Sequence, residues 1–192
     1  MMEKLTRLLD RLANWKTIVI LIVIALPFNL VIFPMRSARL QELSGKSSPI
    51  IDVMFAYTPA QVYDLIPAYG EQGRQLYAVT ELTVDLAYPI LYNLLLSVLM
   101  AIIFRRAFAS GSRWHKLPLL PLASWLADYI ENVGVTIMLV SYPQELDALA
   151  WITSLFSTVK WTVGGACVIL IVIGLVMLLV KKLQAVLTSN PS

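Results

Sequence analysis

Three stretches of this chain carry no charged side chain over about the length of a membrane crossing: Thr17 to Pro34, Leu86 to Phe104 and Trp161 to Val180. A helix crossing a hydrocarbon core needs ~20 such residues at ~1.5 Å each, because every backbone N–H and C=O must be satisfied inside the element. A fourth run, Leu117 to Tyr142, is broken only by Asp128 and Glu131. The reading is all-α: an integral membrane four-helix bundle forming a single transmembrane domain. Composition agrees, since 58% of the 192 residues are hydrophobic and the mean hydropathy is +0.74, against about 45–50% apolar residues in a soluble domain.

The expected layout over residues 1–192 is an interfacial helix at 3–15, spans at 17–35, 76–105, 118–142 and 148–181, and an outer segment at 36–75. Leu5, Leu8, Leu9, Leu12 and Trp15 recur at helical spacing opposite Lys4, Arg7, Asp10 and Arg11, the pattern of an amphipathic helix lying on a bilayer surface. The leading apolar run is of membrane length and the cleavage pattern around Ala38 is weak, so the first span is expected to be retained. Lys4, Arg7, Arg11, Lys16, Arg105, Arg106, Arg113, Lys116, Lys181 and Lys182 gather at one side, leaving Arg36, Arg39, Lys46 and Arg74 for the other. By the positive-inside rule both termini are cytoplasmic. The net charge of +3 is met by lipid head groups, and no nucleic-acid partner is expected. Cys167 is the only cysteine, which excludes an internal disulfide and a cysteine-based metal site. It is expected to pack as a small apolar side chain near Gly164 and Gly165, whose lack of side chains would let another helix come close.

The outer segment is too long for a simple connector. Arg36 to Pro49 reads as a polar, flexible linker with Ser44, Gly45, Ser47 and Ser48; beyond it Ile50, Ile51, Val53, Met54, Phe55 and Tyr57 turn apolar. Thr58-Pro59-Ala60-Gln61 has capping-box spacing with proline at the first helical position, predicting a short helix that ends near Pro67 or Gly70.

Ionisable residues inside the spans define the candidate site, because charge in a membrane helix is costly and faces the protein interior. Glu81, Asp85, Tyr88 and Tyr92 recur at i, i+4, i+7 and i+11, one row on a helix face. Ser124, Asp128, Glu131 and Asn132 form a second row, and Thr153, Ser157 and Lys160 a third; Asn29, beside Pro27, adds an amide. Glu81, Asp85, Tyr88, Tyr92, Asp128, Glu131, Asn132, Ser157, Lys160 and Asn29 are the expected pocket residues, opening to the non-cytoplasmic side. Four acids against one lysine would leave −3 if all were ionised, so neutral carboxyls, a bound cation or water must compensate. Counting rise along the helices puts Lys160 level with Asp85, its expected partner, while Asp128 and Glu131 would share a proton or bind a positive group. Pro89 is expected to bend its helix and free a carbonyl.

Asp52 to Tyr92, containing YTPAQVYDLIPAYGEQGRQLYAVTELTVDLAYPILY, and Leu126 to Trp161, containing DYIENVG and SLFSTVKW, resemble a family of uncharacterised bacterial four-helix membrane proteins. The resemblance covers most of the chain after residue 50, implies the bacterial plasma membrane, and emphasises Asp85, Pro89, Tyr92, Asp128, Glu131, Asn132 and Lys160; it implies no activity. More distantly the layout is similar to the EXPERA group, which includes sterol isomerases and the sigma-2 receptor, in the long segment after the first span, the acids heading the second and a pocket among the helices. The third span lacks a histidine matching the isomerases' catalytic set.

Three function classes follow. The first binds or transports a small amphipathic or cationic molecule or lipid, and transport by so small a bundle would call for a homodimer. The second is an intramembrane enzyme with a carboxylate acid/base pair acting on a lipid-soluble substrate. The third is a structural or accessory subunit. No nucleophile elbow, histidine cluster, phosphate loop or metal-ligand spacing is present, so no cofactor and no metal ligand is assigned, although carboxylates alone suit Mg²⁺ or Ca²⁺.

Overall fold

The computed structural model describes residues 2–45 and 49–188. Helix makes up 87% of the structure, and no strand forms among the described residues. The elements are α1 (Met2–Leu12), α2 (Trp15–Pro27), a π-helical turn (Phe28–Ile32), α3 (Phe33–Ser44), α4 (Pro59–Leu65), α5 (Gly70–Glu81), α6 (Val84–Ala107), α7 (Pro121–Ser141) and α8 (Asp147–Thr188). Three helical stretches are long and apolar enough to cross a membrane: Trp15–Ser44, Pro59–Ala107, which turns at Leu82 and Thr83, and Asp147–Thr188.

Local chemistry sets most element ends. Asn14 caps α2, its side chain accepting from Thr17 N at 3.0 Å, and this break moves Trp15 out of α1, where the heptad-like spacing had put it. The helix then continues through the π turn at Pro27 into α3 and ends at Gly45, whose φ of 68° suits glycine. The expected flexible linker from Arg36 is therefore helical through Ser44; Lys46, Ser47 and Ser48 lie outside the described residues. Thr58 and Gln61 form the reciprocal capping box, and α4 gives way at Ile66 to a 3-10 turn reaching Tyr69.

Helices α7 and α8 pack most extensively; α6 lies against both, α5 against α7 and α3, and α2 along α6. Segment 49–69 folds over one end, which we term the loop end, and there Ile51, Tyr57, Val62, Ile66, Tyr69, Val135, Met138 and Ala150 form the main apolar core. At the opposite, basic end, Met100, Ile103, Phe104 and Cys167 form a smaller one, and α1 is tied to α6 by an Arg105–Asp10 ion pair. Close helix contact is made at Gly134 and Gly174: a Cβ on Gly134 would overlap Thr153, and one on Gly174 would stand 2.5 Å from Ile103 Cγ2. Gly164 and Gly165 do not have this role. A Cβ on Gly165 would meet nothing within 4 Å, and one on Gly164 only Ser124 Oγ at 3.7 Å, because both face a cavity.

Long apolar faces stay uncovered. Only 6% of the most apolar window in Trp15–Ser44 and 11% of that in Asp147–Thr188 is buried against protein, leaving Val19, Ile20, Val23, Ile169, Val172 and Leu175 exposed. Apolar surface on that scale marks a face meant for lipid or a partner.

Candidate functional site

Pro89 organises the centre of the site. Lacking an N–H, it leaves the Asp85 carbonyl without its helical donor. Asn132 Nδ2 supplies the bond from α7 at 2.6 Å, and one turn earlier on α7 the Tyr129 hydroxyl donates to the Leu86 carbonyl, also at 2.6 Å. The freed backbone thus becomes a clamp between α6 and α7. Pro27 creates a similar irregularity in the first long helix. Asn29 in the π turn donates to the Ala25 carbonyl at 2.9 Å and accepts from the Tyr88 hydroxyl at 3.1 Å. Tyr88 packs against Phe28, Phe33 and Tyr92.

Lys160 is the hub of the buried charges, though not with its expected partner. Its ammonium lies 2.5 Å from Glu131 Oε2 and 3.5 Å from Asp128 Oδ1, and donates to the Asp52 carbonyl at 2.8 Å. Three donors are all that an ammonium has. The pairing with Asp85 is corrected accordingly: equal height along the axis did not decide it, because Lys160 on α8 turns toward the α7 face that carries both acids. Asp128 Oδ2 also accepts from the Tyr92 hydroxyl at 2.8 Å. Asp128 and Glu131, expected to share a proton or bind a positive group, here share one ammonium supplied by the chain itself.

The polar row on α8 has a second task. The Ser154 hydroxyl accepts from Tyr57 N at 2.9 Å, while Ser157 donates to the Met54 carbonyl at 2.6 Å and Thr158 to the Phe55 carbonyl at 3.3 Å. With Lys160 on Asp52, four positions of α8 bond four backbone groups of residues 52–57, beyond the 3-10 turn Ile51–Val53 that already pairs Met54 N with the Ile51 carbonyl. Burial pushes the Tyr57 hydroxyl up from its ordinary value, and the negative charges of Glu131, Glu81 and Asp52 push it further, so this loop tyrosine stays neutral.

Seating the loop brings Asp52 to Glu81 and Asp85, one carboxylate oxygen from each lying within 4.8 Å of the other two. Tyr77 fixes Asp52 from α5, its hydroxyl donating to Asp52 Oδ1 at 2.9 Å and accepting from Asp52 N at 3.2 Å. Glu81 is 0% exposed, and neither of its carboxylate oxygens has a hydrogen-bond partner among the described residues. Three ionised carboxylates at this spacing would repel by roughly 3–4 kcal/mol per pair at an effective dielectric of ~20.

A cavity of about 840 Å³ runs beside these groups. Asn29, Asp85, Tyr88, Tyr92, Asp128 and Lys160 line it, as do Asp52, Arg36, Tyr77 and Thr80. The remaining expected residues, Glu81, Glu131, Asn132 and Ser157, are buried behind that lining: Ser157 and Asn132 hold backbone, Glu131 holds Lys160, and Glu81 faces the other two acids. Sequence reasoning did not single out Asp52 or Arg36. A lone carboxylate in the apolar run Ile50-Ile51-Asp52-Val53-Met54-Phe55 was the available signal for Asp52; Arg36 carried none beyond its charge. The rest of the wall is largely apolar, with Phe33, Leu40, Leu76, Leu96 and Val168 beside Ser37 and Ser124, and Gly164 and Gly165 leaving space. Carboxylates, phenols and an ion-paired ammonium thus share the cavity wall with apolar side chains, Leu40 and Leu76 from the loop-end core and Leu96 from beside the basic-end core.

No protein-family model matches this chain, and no curated protein or solved structure shows significant similarity to it.

Proposed function

We propose that the chain is a multi-pass protein of the bacterial plasma membrane, a four-helix bundle with both termini cytoplasmic, that binds a small amphipathic molecule or lipid. The membrane placement rests on three helices of spanning length whose apolar faces stay exposed, and the orientation on the basic residues collected at one end. In this arrangement α7 completes the bundle, and its Asp128 and Glu131 both pair with Lys160 on α8 inside the protein.

The observation that carries the binding role is a cavity whose wall combines ionisable, phenolic and apolar side chains. Its volume of about 840 Å³ falls in the ~300–1,000 Å³ range of ligand pockets. The apolar body of the ligand lies along Leu96 and Val168, and its polar end, rich in hydrogen-bond donors, meets Asp85 and the Tyr92–Asp128 pair. Native mass spectrometry of the detergent-purified full chain tests this. Wild type is expected to retain an adduct of lipid-like mass, and Gly165→Leu, which projects into the cavity where a Cβ meets nothing within 4 Å, is expected to lose it while staying folded. Absence of an adduct from wild type after purification in several mild detergents, or equal retention by Gly165→Leu, would remove the support for a ligand cavity.

A further inference from the structure

We propose that Asp52, Glu81 and Asp85 form a binding site for one divalent cation of calcium's size. Two independent features meet here. The three residues come from three separate elements, the loop, the end of α5 and the start of α6, yet each offers an oxygen within 4.8 Å of the others. Within that cluster the Glu81 side chain is wholly buried, and neither carboxylate oxygen has a donor among the described residues. Buried polar groups are almost always satisfied, so a carboxylate left in this state beside two more acids is poised for a cation. Lys160 does not serve, because its ammonium is committed to Glu131, Asp128 and the Asp52 carbonyl.

The ligand set selects the ion. Mg²⁺ dehydrates reluctantly and is usually held by one or two carboxylates with several waters, whereas Ca²⁺ takes several carboxylates in flexible geometry. Three carboxylates within 4.8 Å of one another, one of them wholly buried, suit Ca²⁺. An organic ammonium in the cavity would meet Asp52 and Asp85 but not Glu81, which is fully buried and does not line it, whereas a bare ion among the three carboxylates would meet all of them. The support around the ligands is that of a built site. Tyr77 donates to the Asp52 carboxylate, Lys160 and Asn132 pin the Asp52 and Asp85 carbonyls, and such outer contacts orient metal ligands. Further oxygens would come from water through the cavity.

This inference goes beyond amphipath binding and does not depend on it. The test uses the EDTA-treated, detergent-purified full chain with CaCl₂ alone, read by isothermal titration and by thermal unfolding, and with Tb³⁺ as a luminescent substitute excited through Tyr77, whose hydroxyl is 2.9 Å from Asp52 Oδ1. Expected are one Ca²⁺ per chain, a melting temperature that rises with Ca²⁺, and Tb³⁺ emission displaced by Ca²⁺ at least tenfold more effectively than by Mg²⁺. Asp52→Asn, Glu81→Gln and Asp85→Asn should each weaken Ca²⁺ at least tenfold, while Asp64→Asn, at an exposed acid on α4, should not. Absence of saturable Ca²⁺ or Tb³⁺ binding to wild type overturns the proposal, whatever the variants do; so does wild-type affinity in Asp85→Asn and Glu81→Gln, or Mg²⁺ displacing Tb³⁺ as well as Ca²⁺. No amphipath is present in these titrations, so their failure leaves the cavity proposal standing, and loss of the lipid-mass adduct leaves this one standing.

Discussion

Replacing Lys160 by methionine keeps most of the length of the side chain and removes its charge, and the structure allows the cost to be worked out. The ammonium interacts with Glu131 at 2.5 Å and Asp128 at 3.5 Å, gross attractions of roughly 7 and 5 kcal/mol at an effective dielectric of ~20. Desolvation of the three groups offsets most of this, which is why removing one partner of a buried pair typically costs about 3–5 kcal/mol. Here the cost should fall in that range, because Glu131 is 0% exposed and cannot recover solvent. The Asp52 carbonyl loses its donor as well, which loosens the loop. Lys160→Met is therefore expected to lose about 3–5 kcal/mol in reversible unfolding by SDS in mixed micelles. Lys160→Met combined with Glu131→Met should regain more than half of the loss, since an apolar pair of matching volume often replaces a buried ion pair at little net cost. A single variant within ~1 kcal/mol of wild type, or a double variant no more stable than the single one, would refute an ion-paired hub; the threshold is the net worth of an ordinary hydrogen bond.

Other outcomes follow from the same contacts. Asn132→Leu removes the donor to the Asp85 carbonyl and should cost ~1–3 kcal/mol; with Pro89→Ala, which restores a helical N–H, the cost should shrink, and a double-mutant cycle showing additivity would contradict the clamp. Gly134→Ala drives a methyl into Thr153 and is expected to destabilise by ~1–3 kcal/mol, whereas Gly165→Ala, with open space and better helix propensity, should be neutral or stabilising by up to ~1 kcal/mol; equal effects in thermal unfolding would contradict the assignment of the two glycines. Thr58→Ala breaks the capping box of α4 and should cost ~1 kcal/mol, seen in hydrogen exchange as faster opening of residues 59–65 with little change in α8.

The long helices and the capped start of α4 were legible because their determinants are local. Charge-free length marked the long helices, the spacing of Thr58 and Gln61 marked α4, and Pro89 announced a freed carbonyl, though not that Asn132 would fill it. The row of Glu81, Asp85, Tyr88 and Tyr92 was visible as a row, yet its members divide: the last three line the cavity and Glu81 lies behind it. The break at Asn14 and the helical extent of 36–44 were missed because apolar periodicity runs through the first and polar composition masks the second.

Periodicity and length alone thus determined an all-helical chain with acids and a lysine on its inner faces, since a helix fixes which of its own residues share a side. Which acid Lys160 meets, and that Asp52 arrives beside Glu81 and Asp85, was decided only when residues 52–57 were laid across α8 and held by Ser154, Ser157, Thr158 and Lys160. Those bonds join residues about a hundred positions apart. They depend on how α7 and α8 are rotated against each other, and no local pattern encodes that rotation.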